Sequence, residues 1–108
     1  MSEKLVDLTD EDFDEKINSS KLPYLIDFYS NSCPPCLVLN PILKNLSQIL
    51  NGKIIVGKLD VEQNTKTTSK HMIRSIPCMI LFINGKEKDR LIGFHPKEKI
   101  REFLERYL

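Results

Sequence analysis

The sequence predicts an α/β fold, a central mixed β-sheet of four to five strands flanked by about four helices, and three observations carry that expectation. Short apolar runs at residues 23–30, 54–59 and 77–83 alternate with segments whose apolar residues recur every three or four positions. Asn84-Gly85 separates the last of these runs from a charged stretch ending in Arg90-Leu91-Ile92-Gly93, the signature of a hairpin into an antiparallel strand. Between the first run and the longest periodic segment stands Cys33-Pro34-Pro35-Cys36, a thiol pair stiffened by two prolines.

Element by element, Leu5-Val6-Asp7-Leu8 reads as an edge strand. Thr9-Asp10-Glu11-Asp12 then offers a helix-capping hydroxyl with a carboxylate three residues on, followed by Phe13 and Ile17 on one face of a short helix. Residues 23–30, PYLIDFYS, have the nearly continuous apolar composition of a strand covered on both faces, with Asp27 as the only charge. After the cysteines, Leu39, Ile42, Leu43, Leu46, Ile49 and Leu50 mark a long helix closed by Asn51-Gly52, with Pro41 inside it lacking the amide proton for the carbonyl four residues back. Residues 54–59 form a second buried strand and residues 62–71 a polar, loosely helical connection. Residues 77–83 are the third apolar strand. His95-Pro96 opens the last helix with proline at its first position, and Ile100, Phe103, Leu104 and Tyr107 make its core stripe.

At 108 residues the chain, 1–108, reads as a single domain, long enough to bury roughly two thirds of its unfolded surface without staples. Sixteen basic and fifteen acidic side chains leave a formal charge of +1, and the signs interleave, as in Lys86-Glu87-Lys88-Asp89-Arg90. That pattern argues against a nucleic-acid footprint or a basic membrane-binding face. Met1-Ser2-Glu3-Lys4-Leu5-Val6-Asp7 carries charges where a secretion signal needs an apolar core, and the longest apolar run, 78–83, is far short of a membrane span, so a cytoplasmic protein is expected. In a reducing compartment a close cysteine pair points to redox chemistry or metal rather than a structural staple.

Cys33 falls where a strand gives way to a helix, so its sulfur faces unpaired amides and the positive end of the helix dipole, an environment that favours thiolate. Cys36 lies one turn along the same face, near enough to close a disulfide with it.

Together with these residues, the chain resembles the thioredoxin family over nearly its whole length and in order. LIDFYSNSCPPCLVLNPIL (25–43) is similar to the family's active-site strand, motif and helix, VGKLDV (56–61) to its next strand, IRSIPCMILFINGK (73–86) to its proline loop and hairpin, and GFHPKEKIREFL (93–104) to its closing helix. The resemblance implies a thioredoxin fold and a protein thiol-disulfide oxidoreductase acting mainly as a disulfide reductase. It implies that Cys33 attacks a substrate disulfide, Cys36 resolves the mixed disulfide, and buried Asp27 takes the proton from Cys36, with Lys58 tuning Asp27. Ser32, Pro34, Pro35, Ile76, Pro77 and Gly93 would line the substrate surface, with Pro77 cis and the Ile76 backbone offered to the substrate as if adding a strand. It further implies a monomer that uses no cofactor, reduces disulfide-containing proteins and is recycled by a thioredoxin reductase.

Read on their own residues, several of these positions have plainer roles. Asp27 also fits a strand edge, Lys58 an ordinary strand-end lysine with its ammonium in water, and Cys78, where relatives usually carry threonine, a small buried hydrophobe. His71 reads as a solvated loop residue and His95 as a helix-entry residue. The motif departs from the family's usual Trp-Cys-Gly-Pro-Cys: Pro34 removes an amide that could point at the Cys33 sulfur, Pro35 lacks one too, and Ser32 replaces an exposed tryptophan, flattening the apolar rim. Two other functions compete. Cys33 and Cys36 with Cys78, His71 or His95 could ligate a metal, a reading opposed by the missing second paired motif. Alternatively the chain is a redox-inactive or weakly active thioredoxin-like protein-binding module.

Overall fold

The computed structural model describes residues 5–108; residues 1–4, which open the charged N-terminal segment discussed above, lie outside the described residues. The elements are β1 (Val6–Asp7), α1 (Phe13–Ser19), β2 (Tyr24–Tyr29), α2 (Pro34–Ile49), β3 (Ile55–Asp60), α3 (Thr65–Lys70), β4 (Cys78–Ile83), β5 (Lys86–Ile92) and α4 (Lys97–Glu105). They form one five-stranded sheet in the order β1-β3-β2-β4-β5. β1, β3 and β2 run parallel, while β4 runs antiparallel to β2 and β5 antiparallel to β4. This is the mixed sheet expected from the sequence.

The central strand is β2, paired on both sides and covered on both faces. Successive side chains alternate between two cores. Leu25 joins Leu39, Leu43 and Leu46 of α2 and Ile100, Phe103 and Leu104 of α4. Ile26 and Phe28 join Phe13 and Ile17 of α1, with Leu59, Ile80 and Phe82. Leu39, Leu43 and Leu46 are fully buried at the helical spacing, and each such leucine contributes about 1.5–3 kcal/mol. α2 continues through Pro41 to Ile49. The β4–β5 hairpin turns on Asn84 and Gly85, both with positive φ (55° and 79°), as a two-residue turn of matching twist requires.

Four expectations shift. The first helix starts at Phe13, because residues 10–12 form a turn: the Asp12 carboxylate accepts from the Thr9 N–H at 2.8 Å, but the Thr9 hydroxyl caps nothing. Ile49 is 41% exposed rather than part of the core stripe. Pro96 is the N-cap of α4, with φ −71° and ψ 163°, not its first helical residue. Tyr107 lies past the end of α4, its ring against Phe103 and its hydroxyl donating to Asp89 Oδ2 at 2.6 Å.

Gly57 sits in β3 between β1 and β2, opposite Val6 and Ile26. A Cβ there would come within 2.5 Å of Leu8 Cδ1 and 3.0 Å of the Val6 carbonyl oxygen. Gly57→Ala is therefore expected to destabilise the fold by about 1–3 kcal/mol, read as a lower urea midpoint at unchanged slope.

Candidate active site

β2 ends at Tyr29, and a turn of three residues carries the chain into α2; the Cys33 N–H donates to the Ser30 carbonyl at 3.3 Å. Cys33 is the N-cap of α2 in extended conformation, and Pro34 and Pro35 occupy the first two helical positions. Those positions have no intrahelical acceptor for an N–H, so the prolines cost little there. The first amide that can turn toward the sulfur is that of Cys36, which donates to Cys33 Sγ at 3.3 Å. Cys33 and Cys36 are joined as a disulfide, their Cα atoms 5.2 Å apart. The two sulfurs are unequally placed: Cys33 is half-buried and reachable, while Cys36 is buried.

Asp27 is 2% exposed. By strand alternation its side chain faces the α2 side of the sheet with Leu25, beneath the cysteine pair. Its Oδ1 is the one buried side-chain polar atom without a hydrogen-bond partner among the described residues. Burial pushes its pKa up to about 7, against a smaller pull downward from the Lys58 ammonium. A cleft of about 40 Å³ runs between Asp27, Cys36, Asn40 and Lys58, room enough for a water.

Lys58 is the register partner of Asp27 on β3, but its ammonium turns elsewhere. It lies 3.8 Å from Asp7 Oδ1 and 5.4 Å from the centre of the Tyr29 ring. Lys58 thus acts on Asp27 across space rather than as an ion-pair partner.

The remaining predicted site residues gather at the same end of the sheet, because Cys78 at the start of β4 pairs with Phe28 near the end of β2. The Ile76-Pro77 bond is cis. The Gly93 N–H donates to the Pro77 carbonyl at 2.7 Å, and Gly93 has φ +89°, a conformation that favours glycine. Pro77 is buried, Ile76 half-buried, and Ser32, Pro34 and Pro35 exposed. Cys78 is 1% exposed, and burial raises its thiol pKa.

The sequence reading of His71 needs correction. Its ring packs among Phe13, Phe28 and Phe82, with centroids 5.1–6.1 Å away, which leaves the residue half-buried rather than a free loop side chain. Among the described residues no three His, Cys, Asp or Glu side chains are grouped to hold a metal, and no helix is long and apolar enough to cross a membrane. One feature of the site had no signal in the sequence. The Ser30 and Ser32 hydroxyls both reach Glu62 Oε2, at 2.8 and 3.3 Å, from a position thirty or more residues downstream.

Comparison with known proteins places the chain in a family. The family model named Thioredoxin matches residues 4–106. The chain belongs to the thioredoxin family. It is 40% identical to a thioredoxin of Rickettsia bellii over 97 residues, covering 90% of this chain and 92% of the relative. It is also 40% identical to thioredoxins of Buchnera aphidicola over 102 residues (94% of each chain) and of Staphylococcus epidermidis over 104 residues (96% and 98%). With thioredoxin relatives at this identity and a cysteine pair able to form a disulfide, the chain is a thiol-disulfide oxidoreductase of the protein-disulfide reductase type, with thiol-disulfide redox partners.

The raised Asp27 pKa fixes the sign of a stability effect. The native carboxyl keeps its proton where the unfolded one, near 3.8, has lost it, so this group weakens the fold progressively as pH rises from about 4 to about 7. At about 1.4 kcal/mol per pH unit, Asp27→Asn is expected to stabilise the protein by about 4 kcal/mol at pH 8. The gain should shrink toward zero as the pH is lowered to about 4, which urea titrations across that window would measure.

Proposed function

We propose that Cys33 is the attacking sulfur of this reductase and Cys36 the resolving one. The Cys33 thiolate displaces one sulfur of a substrate disulfide: an S–S bond forms between Cys33 and the substrate, the substrate S–S bond breaks, and the departing thiolate takes a proton. Cys36, losing its proton to Asp27 through the intervening cleft, then attacks Cys33. The protein disulfide closes, the second substrate thiol leaves, and two electrons have passed from protein to substrate. The observation that carries this reading is a reachable sulfur bonded to a buried one, above a buried carboxyl with an unpartnered oxygen and a pKa near neutrality.

Lys58 tunes Asp27 by its charge. Ser32, Pro34 and Pro35 form one bank of the substrate surface and Ile76, Pro77 and Gly93 the other, where the Ile76 backbone meets the substrate chain as an added strand. The electron donor is a thioredoxin reductase, the substrates are disulfide-bearing proteins, and the protein works as a monomer in the cytoplasm. The competing reading, a binding module with idle cysteines, is opposed by the cleft joining Asp27 to Cys36.

Cys33→Ser should lower reduction of a model protein disulfide by roughly a hundredfold or more, whereas a fully active serine variant would favour the module. Cys36→Ser should accumulate mixed disulfides with substrate. The Cys36 N–H is the single amide seen on the Cys33 sulfur, and Pro34→Gly would restore another donor that stabilises the reduced, thiolate form. The variant's potential, measured against glutathione, should accordingly be less reducing by on the order of 30 mV.

A further inference from the structure

The loop between β2 and α2 is held by a carboxylate from elsewhere in the chain. Ser30 is 2% exposed, and its hydroxyl is fully engaged: it donates to Glu62 Oε2 at 2.8 Å, accepts from the Ser32 N–H at 3.2 Å and lies 3.0 Å from the Ser32 hydroxyl. Ser32 Oγ also donates to the same Glu62 oxygen at 3.3 Å. A long acidic side chain on an exposed turn would ordinarily sweep many rotamers, but two hydroxyl donors, one of them buried, pin this one. Its charge is therefore fixed beside Ser32, one residue from Cys33.

A second carboxylate reinforces it. Asp60 Oδ1 accepts from the Glu62 N–H at 2.9 Å, and Asp60 Oδ2 lies 3.5 Å from Asn31 Nδ2. The nearest cation on β3, Lys58, is directed to Asp7 and Tyr29. Arg74 is exposed in the connection before β4, two residues ahead of Ile76 on the opposite bank. The rim beside Cys33 is thus acidic on its β3 side and polar at Ser32.

We propose that Glu62 is a specificity-determining residue of the redox centre: its pinned carboxylate favours disulfide substrates carrying positive charge next to the reacting sulfur and disfavours those carrying negative charge. The inference rests on Cys33 being the attacking sulfur. It concerns which substrate chains can approach that sulfur and leaves the exchange chemistry as described above.

The test uses the full chain, reduced beforehand and freed of reductant, so that the protein dithiol supplies both electrons in a single turnover. Three disulfide-linked peptides are matched except for lysine, glutamine or glutamate flanking the cysteine. At low ionic strength the wild type should reduce the lysine peptide about tenfold faster than the glutamate peptide, and the ratio should compress with added salt. Glu62→Gln keeps an acceptor for Ser30 and Ser32 but removes the charge, and it should bring that ratio to within about twofold of unity. An unchanged ratio in Glu62→Gln, no preference in the wild type, or an equal slowing of all three peptides would overturn the proposal, the last marking loop support alone. Failure to reduce any of the peptides would instead overturn the assignment of Cys33.

Discussion

A carboxyl buried without a full set of partners in the central strand is the constraint around which this molecule is arranged. β2 is hydrogen-bonded on both sides and covered on both faces, so its side chains from Tyr24 to Phe28 are buried, and Asp27 is its only charged one. Ionising such a group in place is costly, and the protein meets that cost by letting the carboxyl hold a proton near neutral pH. A residue that burdens the fold in this way is well suited to exchange a proton with a neighbour. The neighbour across the cleft is Cys36, the buried member of the disulfide.

The cysteines are arranged by the same economy of position. The strand-to-helix turn puts Cys33 at the mouth of α2, and Cys36 one turn inside, so a small change in depth gives the sulfurs different accessibility without any moving part. The consecutive prolines are tolerated because they occupy helix positions whose amides have no partner to lose. Neither proline has an N–H to offer the sulfur at residue 33, and among the described residues the amide that donates to it is that of Cys36. On its β3 side the rim is polar and acidic, with Ser32 tied to Glu62, where a tryptophan at residue 32 would supply apolar surface.

Much of this was legible in the sequence, and what was not has physical reasons. β2, α2 and the hairpin were readable because burial on both faces, the leucine repeat and Asn84-Gly85 are local signals. The start of α1 was misplaced because the capping pattern at Thr9 is half used: Asp12 accepts the Thr9 amide, while Asp10 turns away to receive the Thr67 and Lys66 amides at the start of α3. His71 sits in a polar stretch, and only the folded chain brings Phe13, Phe28 and Phe82 around it. The direction taken by Lys58 depends on the pairing of β1 with β3, which sets Asp7 opposite it. Glu62 reaches Ser30 and Ser32 across thirty or more residues of intervening chain, a contact that no local pattern encodes.

The most direct test of the account is the titration of Asp27 itself, followed by the ¹³C shift of its side-chain carboxyl in the disulfide form. A midpoint near 7 is predicted, set by burial and only partly offset by Lys58. A midpoint near the ordinary aspartate value of 3.8 would mean that water or a cation already satisfies the group, and would contradict its role as the proton acceptor beneath the cysteine pair.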